Sequence, residues 1–472
     1  MNPKTFGRNA IRVVAAAAVV GLSVSVGAGT AFAERPPAVN PGDLPADGTP
    51  HPSKTTEPKP NTACMSTVPG GEGETVPQAQ RVLDLDRAWK FSTGAGQTVA
   101  VIDTGVARNP RLRNLSAGGD YVSTGDGTQD CDGHGTAVAG LIAASRVSGQ
   151  GFAGIAPDAK IVAIRQTSNY FEVKGQSQGQ TQEQIEKNSY GDLDSLASAI
   201  RHAADLGARV INISEVNCVA GTPSDAKIGA AVQYAAVQKD VVVVVAAGNS
   251  DACKGTNPVL DPTDPDGDMW SRVNENVTPA RWDNYVLSVG SIDPATGSPS
   301  KFTVPGPWVG VAAPGEKITS LDVNYGSANS KGTATAFIES SKQTEMAGTS
   351  FASPYVAGLA ALIRSKFPRL SAFDVIKRIE ATAHAPAGGW NPYVGYGAID
   401  PVAALTAEVP TQIPPKHPFS AQSWQMAVPA PPKPADNTAR NVALIGTAVI
   451  AVLLILGYLA SFPIRRRLGM HD

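Results

Sequence analysis

Five consecutive valines, Val241–Val245, run directly into Ala246-Ala247-Gly248-Asn249. The branched Cβ of valine favours an extended backbone, and the side chains of a strand alternate between faces, so this run presents apolar groups on both sides. Such a strand is stable only inside a sheet covered on both faces, which is the situation of a parallel sheet crossed by helices. The flanking pattern agrees. Strand-like runs at 97–102, 159–165, 208–214 and 241–247 alternate with helical patterns at 134–145, 193–206 and 224–239. The expected fold class is α/β, a doubly wound parallel sheet with helices on both faces. Its ligand site is expected outside the carboxyl ends of the strands, where Asp103 and Asn249 both fall. The stretch 166–192 is polar and Gln-rich, has no clear period, and reads as a surface insertion.

The two ends of the chain carry different signals. Lys4, Arg8 and Arg12, an apolar run from Val13 to Val26 and then Ala31-Phe32-Ala33 form the layout of a secretory signal cleaved before Glu34. That run is too short and too rich in Ala and Gly to span a bilayer. By contrast, Val442–Phe462 is free of charge and about 31 Å long as a helix, which matches a hydrocarbon core. Arg465, Arg466 and Arg467 follow it, and positive charge marks the cytoplasmic side. The remainder of the mature chain is therefore expected outside the cytoplasm. Residues 34–61 contain eight prolines in 28 and residues 406–440 contain eight in 35, so both read as extended linkers or wrapping arms. The expected organisation is a signal at 1–33, a Pro-rich extension at 34–79, a large globular domain at 80–405, a linker at 406–440, a transmembrane helix at 441–463 and a cytoplasmic tail at 464–472. With 39 Lys and Arg against 41 Asp and Glu, nothing points to nucleic acid as a partner.

An exported chain with four cysteines, Cys64, Cys131, Cys218 and Cys253, is expected to form disulfides, and three pairings are possible. If RVINIS and VVVVVAAG are neighbouring parallel strands, Cys218 and Cys253 emerge at one sheet edge. That favours Cys218 with Cys253 and leaves Cys64 with Cys131, beside the loop that holds His134. No Cys-x-x-Cys or Cys-His spacing supports a metal site instead.

The stretch VIDTGV, residues 101–106, puts Asp103 at a strand end before a Thr-Gly turn. An aspartate there can cap the turn, share a proton with a second such loop, or orient a histidine that activates a serine. The chain has no second Asp-Thr-Gly or Asp-Ser-Gly, so the paired-aspartate chemistry of an aspartic peptidase would require a homodimer. Asp132-Gly133-His134-Gly135-Thr136 and Gly348-Thr349-Ser350 each open a helical pattern. Taken alone, His134 is as readily a structural cap as a base, Ser350 reads as an N-cap hydroxyl, and Asn249 suits a left-handed turn.

Together, VIDTGV, DGHGTAVAG, VVVAAGNS and GTSFASPYVAG occur in the order Asp, His, Asn, Ser, and over roughly residues 80–405 the chain resembles the subtilisin-like serine peptidases. The signal, the Pro-rich extension, QRVLDLDRAWKFSTGAGQTVAVIDTGV, the two cysteine pairs and the single C-terminal span look like the mycosins, membrane-anchored subtilases of type VII (ESX) secretion systems. The resemblance implies that Ser350 is the nucleophile, His134 the general base, Asp103 the group that orients it and Asn249 the oxyanion donor. No cofactor is expected, and since no Asp-rich loop with calcium spacing stands out, no metal is expected to be required; Pro262–Asp268 (PTDPDGD) is the only weak calcium candidate. Pro354, lacking an N–H, leaves the Ser350 carbonyl without its helical partner. Phe351 and Tyr355 replace the Met and His usual in the family, and NISEVNC, residues 212–218 with Glu215, stands where many subtilases have a substrate-pairing Ser-Leu-Gly strand. A broad degradative specificity is therefore not expected.

The extension is expected to stay tethered through Cys64, with no removal needed for activity. Two functions follow from the resemblance. One is extracytoplasmic processing of a protein exported by the same machine; the other is stabilisation of the membrane secretion complex, with peptidase activity dispensable. The implied partners are a protein substrate, components of the secretion complex and the membrane.

Overall fold

The computed structural model describes residues 35–70, 73, 75–180, 190–253, 257, 267–324, 332–339, 341–409 and 437–467. The chain divides into two units, Met1–Ala421 and Gln422–Asp472.

The larger unit is built on a seven-stranded sheet. Its strands are β1 (Thr98–Asp103), β2 (Leu115–Asp120), β3 (Lys160–Arg165), β4 (Val210–Ile213), β5 (Val242–Ala246), β6 (Val286–Ile292) and β7 (Val309–Pro314). Every neighbouring pair is parallel, in the order β2-β3-β1-β4-β5-β6-β7. The chain first builds the wing β1-β3-β2, then crosses to the other side of β1 to lay down β4 and its successors. The crevice of such a sheet opens beside the carboxyl end of β1, where the winding reverses. Three of these strands, β2, β6 and β7, escaped the pattern reading. Each has glycine in its interior, which weakens the strand signature.

Two cores form, one on each face. Val99 and Val101 of β1, with Val242 and Val244 of β5, pack with helices α1 (His134–Ala143), α4 (Thr349–Lys366) and α5 (Ala372–Ala381). Ala100 and Ile102, with Val243 and Val245, pack with α2 (Leu193–Asp205) and α3 (Ala226–Gln233). The valine run is thus shared between opposite cores, and each fully buried valine contributes about 1.5–3 kcal/mol. Helix α4 is buried from Thr349 to Arg364 except at Ser350, which explains why it is apolar all round rather than striped. The helix expected at 224–239 is shorter. After α3 the chain widens into a π turn, Tyr234–Gln238, and Asp240 at φ 53° redirects it into β5. Under α3, the buried Asp225 accepts from Arg281 Nη1 at 3.0 Å, from Trp282 Nε1 at 3.0 Å and from the Thr278 hydroxyl.

The N-terminal Pro-rich segment is an arm laid on the domain. Thr56–Pro58 pairs antiparallel with Phe171–Val173 of the Gln-rich insertion, and Ser66–Pro69 pairs with Thr333–Glu339. Thr67 Oγ1 donates to Asp322 Oδ1 at 2.5 Å, and Arg35 meets Asp268 at 3.1 Å. These short strands were not legible because strand pairing by an edge segment needs only three or four residues, too few for a period. Disulfides join Cys64 to Cys131, with Cα atoms 4.6 Å apart, and Cys218 to Cys253, with Cα atoms 5.3 Å apart. The signal segment 1–33, residues 181–189 of the insertion, residues 262–266 of PTDPDGD and residues 410–436 of the linker lie outside the described residues.

In the second unit, Thr438–Arg467 is one helix, of which Thr438–Pro463 is long and apolar enough to cross a membrane.

Candidate active site

Asp103 is the last residue of β1 and has no solvent exposure. Its Oδ1 accepts from Nδ1 of His134 at 2.7 Å and from the Thr104 N–H at 2.8 Å. Because the carboxylate is acceptor-only, Nδ1 carries a proton, and Nε2 is the ring nitrogen that can accept when the ring is neutral. The helix that begins at His134 is fixed from beneath. Its N-cap, Gly133, supplies no side-chain bond, and Asp130 does this work instead, accepting from Gly133 N–H at 2.7 Å, Thr136 N–H at 2.8 Å and Thr136 Oγ1 at 2.6 Å. A carboxylate there also suits the positive end of the helix dipole. Thr104 ties both segments together, its hydroxyl donating to Asp130 at 2.8 Å and accepting from Gly135 N–H at 2.9 Å. The approach is so close that a Cβ on Gly135 would stand 2.0 Å from the Gly105 carbonyl oxygen, which is why glycine follows the histidine.

His134 is surrounded by acids. Its side chain is 19% exposed, and Glu215 Oε1 lies 3.6 Å from the same Nδ1 that Asp103 holds. Burial alone would lower the imidazole, but the charge and hydrogen bond of Asp103, then Glu215 and Asp130, outweigh it and push the ring up to about 10. Partial burial, and further Asp103 and Asp132, raise Glu215 above the usual carboxylate range against the opposing pull of His134. Asp132, accepting from Ser168 Oγ at 2.6 Å and Asn169 N–H at 2.7 Å, is also raised by burial. Asp103, His134 and Glu215 bring one ligand-type atom each within 4.8 Å of one another, close enough for a shared cation, and in this structure both carboxylates face Nδ1 of the imidazole.

Ser350 is the second residue of α4 and is half-buried. Its carbonyl, deprived of a helical donor by Pro354, accepts from Ser214 Oγ at 2.8 Å, and Asn212 Nδ2 donates to that hydroxyl at 2.9 Å. The end of β4 thus grips the start of α4. Asn249, just beyond β5, accepts at Oδ1 from both Thr349 N–H and Thr349 Oγ1, each at 2.9 Å. A Cβ placed on Gly348 would lie 3.0 Å from Asn249 Nδ2 and 3.0 Å from Ser350 Oγ, so amide and hydroxyl converge on one spot that only glycine leaves open. The two halves meet through Phe351, whose ring lies 5.0 Å from that of His134.

The structure therefore brings Asp103 into contact with His134 and Asn249 up to Ser350, and it places the residue after Ser350 against the histidine. Sequence reasoning missed Asp130, Thr104, Ser214 and Thr349. The only signals for them were an acid three residues before a glycine-led helix and hydroxyl residues adjoining each motif.

The subtilase family pattern matches residues 94–397. Mycosin-4 of Mycobacterium tuberculosis (strain ATCC 25618 / H37Rv) is 41% identical over 468 residues, covering 98% of this chain and 98% of that protein. The solved MycP3 protease from the type VII (ESX-3) secretion system superposes with a TM-score of 0.70 at 44% identity, covering 79% of this chain and 100% of its own. A chain of an intact ESX-5 inner membrane complex superposes with a TM-score of 0.72 at 40% identity, covering 90% and 99%.

Proposed function

The chain belongs to the subtilase family and, within it, to the mycosins, and from that premise we propose that it is an extracytoplasmic serine endopeptidase that processes a protein exported by type VII secretion. The 2.7 Å contact between Asp103 and His134 carries this reading. Ser350 Oγ attacks the scissile carbonyl while Nε2 of His134 takes its proton, and Asp103 holds the Nδ1–H and stabilises the imidazolium. The oxyanion is met by Asn249 Nδ2 and the Ser350 N–H. His134 then gives the proton to the leaving amine, and water releases the acyl group from Ser350 by the same route in reverse.

In this reading the signal is removed, the arm from residue 34 onward is retained, and the C-terminal helix spans the membrane once with the arginines on the cytoplasmic side. Retention is supported by the disulfide that anchors the arm at Cys131, three residues before the histidine. A fluorophosphonate probe on the detergent-solubilised full chain tests the chemistry. It is expected to label Ser350 and to fail in Ser350→Ala and His134→Ala; labelling that persists in the histidine variant would overturn the assignment.

A second role, stabilising the secretion complex, is supported by the similarity to a chain of the ESX-5 inner membrane complex. In cells carrying Ser350→Ala, continued secretion with loss of substrate cleavage is the outcome that separates scaffolding from catalysis.

A further inference from the structure

His134 meets two carboxylates at a single nitrogen. Asp103 approaches Nδ1 at 2.7 Å from the buried end of β1, and Glu215 approaches it at 3.6 Å from the segment after β4. Asp103 alone suffices to fix the tautomer, so Glu215 is surplus to that task. It is also placed differently. Its side chain is 39% exposed, whereas Asp103 is fully covered, and among the described residues it forms its ion pair with His134. The other charges around the ring are Asp130 and Asp132 from the segment preceding α1; α4 contributes only the Phe351 ring. The Arg165 guanidinium acts on Asp132 and faces Asp120 at 3.5 Å. Among the described residues, the groups that act on the charge of the ring are therefore carboxyls: Asp103, Glu215 and Asp130 each favour its protonated form.

We propose that Glu215 is a positioning residue that holds His134 as imidazolium in the resting protein, and that a cationic substrate side chain releases the histidine by drawing Glu215 away. The inference rests on the reading of His134 as the base that activates Ser350. An imidazolium cannot accept the serine proton, so the resting site is restrained, and the restraint is set by a half-exposed group that an arriving lysine or arginine can reach. The same carboxylate then selects such a substrate, because a neutral side chain leaves it on the histidine.

Two readouts on the full chain in detergent test this. The first is the NMR titration of the ring nitrogens of His134 in wild type, Glu215→Gln and Glu215→Asp. Removing an opposite charge at this distance from a partly exposed site is expected to lower the midpoint by about one unit in Glu215→Gln, with Glu215→Asp in between. The second is the rate of Ser350 modification by a neutral alkyl fluorophosphonate and by a lysyl phosphonate diphenyl ester. At pH 8 the neutral probe is expected to react about tenfold faster with Glu215→Gln than with wild type, following the one-unit shift, and the wild-type preference for the lysyl probe is expected to vanish. An unchanged midpoint overturns the restraint, and equal relative rates of the two probes in wild type and Glu215→Gln overturn the selection. A lowered midpoint without modification of Ser350 in any variant would instead leave the restraint standing and remove the peptidase reading.

Discussion

The side-chain oxygen of Asn249 accepts two hydrogen bonds from Thr349, one from the backbone and one from the hydroxyl, both at 2.9 Å. With Oδ1 so occupied, the amide nitrogen borders the space beside Gly348 that Ser350 Oγ also borders, each 3.0 Å from where a Cβ would stand. An oxyanion donor aimed in advance costs no reorganisation when charge develops. Asn249→Ala is expected to lower turnover roughly 100- to 1,000-fold with little change in KM. Thr349→Val, which keeps the backbone bond, is expected to lose less. Steady-state kinetics on a cleaved peptide would decide it, and a loss confined to KM in Asn249→Ala would remove the amide from this role.

The pair of His134 with its carboxylates also links stability to pH. The folded-state imidazole is raised, so its contribution is fully present below the unfolded value of about 6.5 and is lost as pH rises through about 10. Urea midpoints of wild type and His134→Gln are expected to differ most near pH 6 and to converge toward pH 10. A gap that stays constant over that window would show that the pairing adds nothing to folding.

Asp225 and Arg281 form a buried pair at 3.0 Å, with side chains 2% and 1% exposed. Removing the carboxylate takes from the buried guanidinium its bond at 3.0 Å, and breaking such a buried pair typically costs about 3–5 kcal/mol. Asp225→Ala is therefore expected to fall in urea midpoint far more than a surface variant such as Asp86→Ala. Equal midpoints for the two would show that the pair adds nothing to stability.

The Cys218–Cys253 disulfide closes 35 residues that include α3 and β5, and the Cys253 N–H donates to the Asn249 carbonyl at 2.9 Å. Replacing both cysteines by serine is expected to destabilise the chain by about 2–4 kcal/mol through the freed denatured state. Because Cys253 is held by the turn that carries Asn249, Ser350 labelling is expected to slow as well. Labelling at the wild-type rate in a destabilised variant would confine the bridge to stability.

Much of this was legible in the linear pattern because the physics behind it is local. The valine run has no polar face, so it had to lie between two helical layers, and it does. An uncharged stretch of bilayer length announces itself by composition. Asp103, His134, Asn249 and Ser350 each sit in a short motif whose glycines mark where backbones approach closely. By contrast, β2, β6 and β7 were hidden by internal glycines, and the pairing strands of the N-terminal arm were too short to show a period.

What the amino-acid order determined was the covering of the sheet on both faces and the strand ends and helix starts at which polar side chains emerge, because strand and helix periodicities depend on near neighbours. Only the tertiary structure decided that Asp130 caps the helix of His134, that Ser214 takes the carbonyl Pro354 leaves free, and that Glu215 joins Asp103 on one imidazole nitrogen. Those partners are separated in sequence but close in space, and the strength of a charge or a hydrogen bond depends on the distance and burial that folding alone sets.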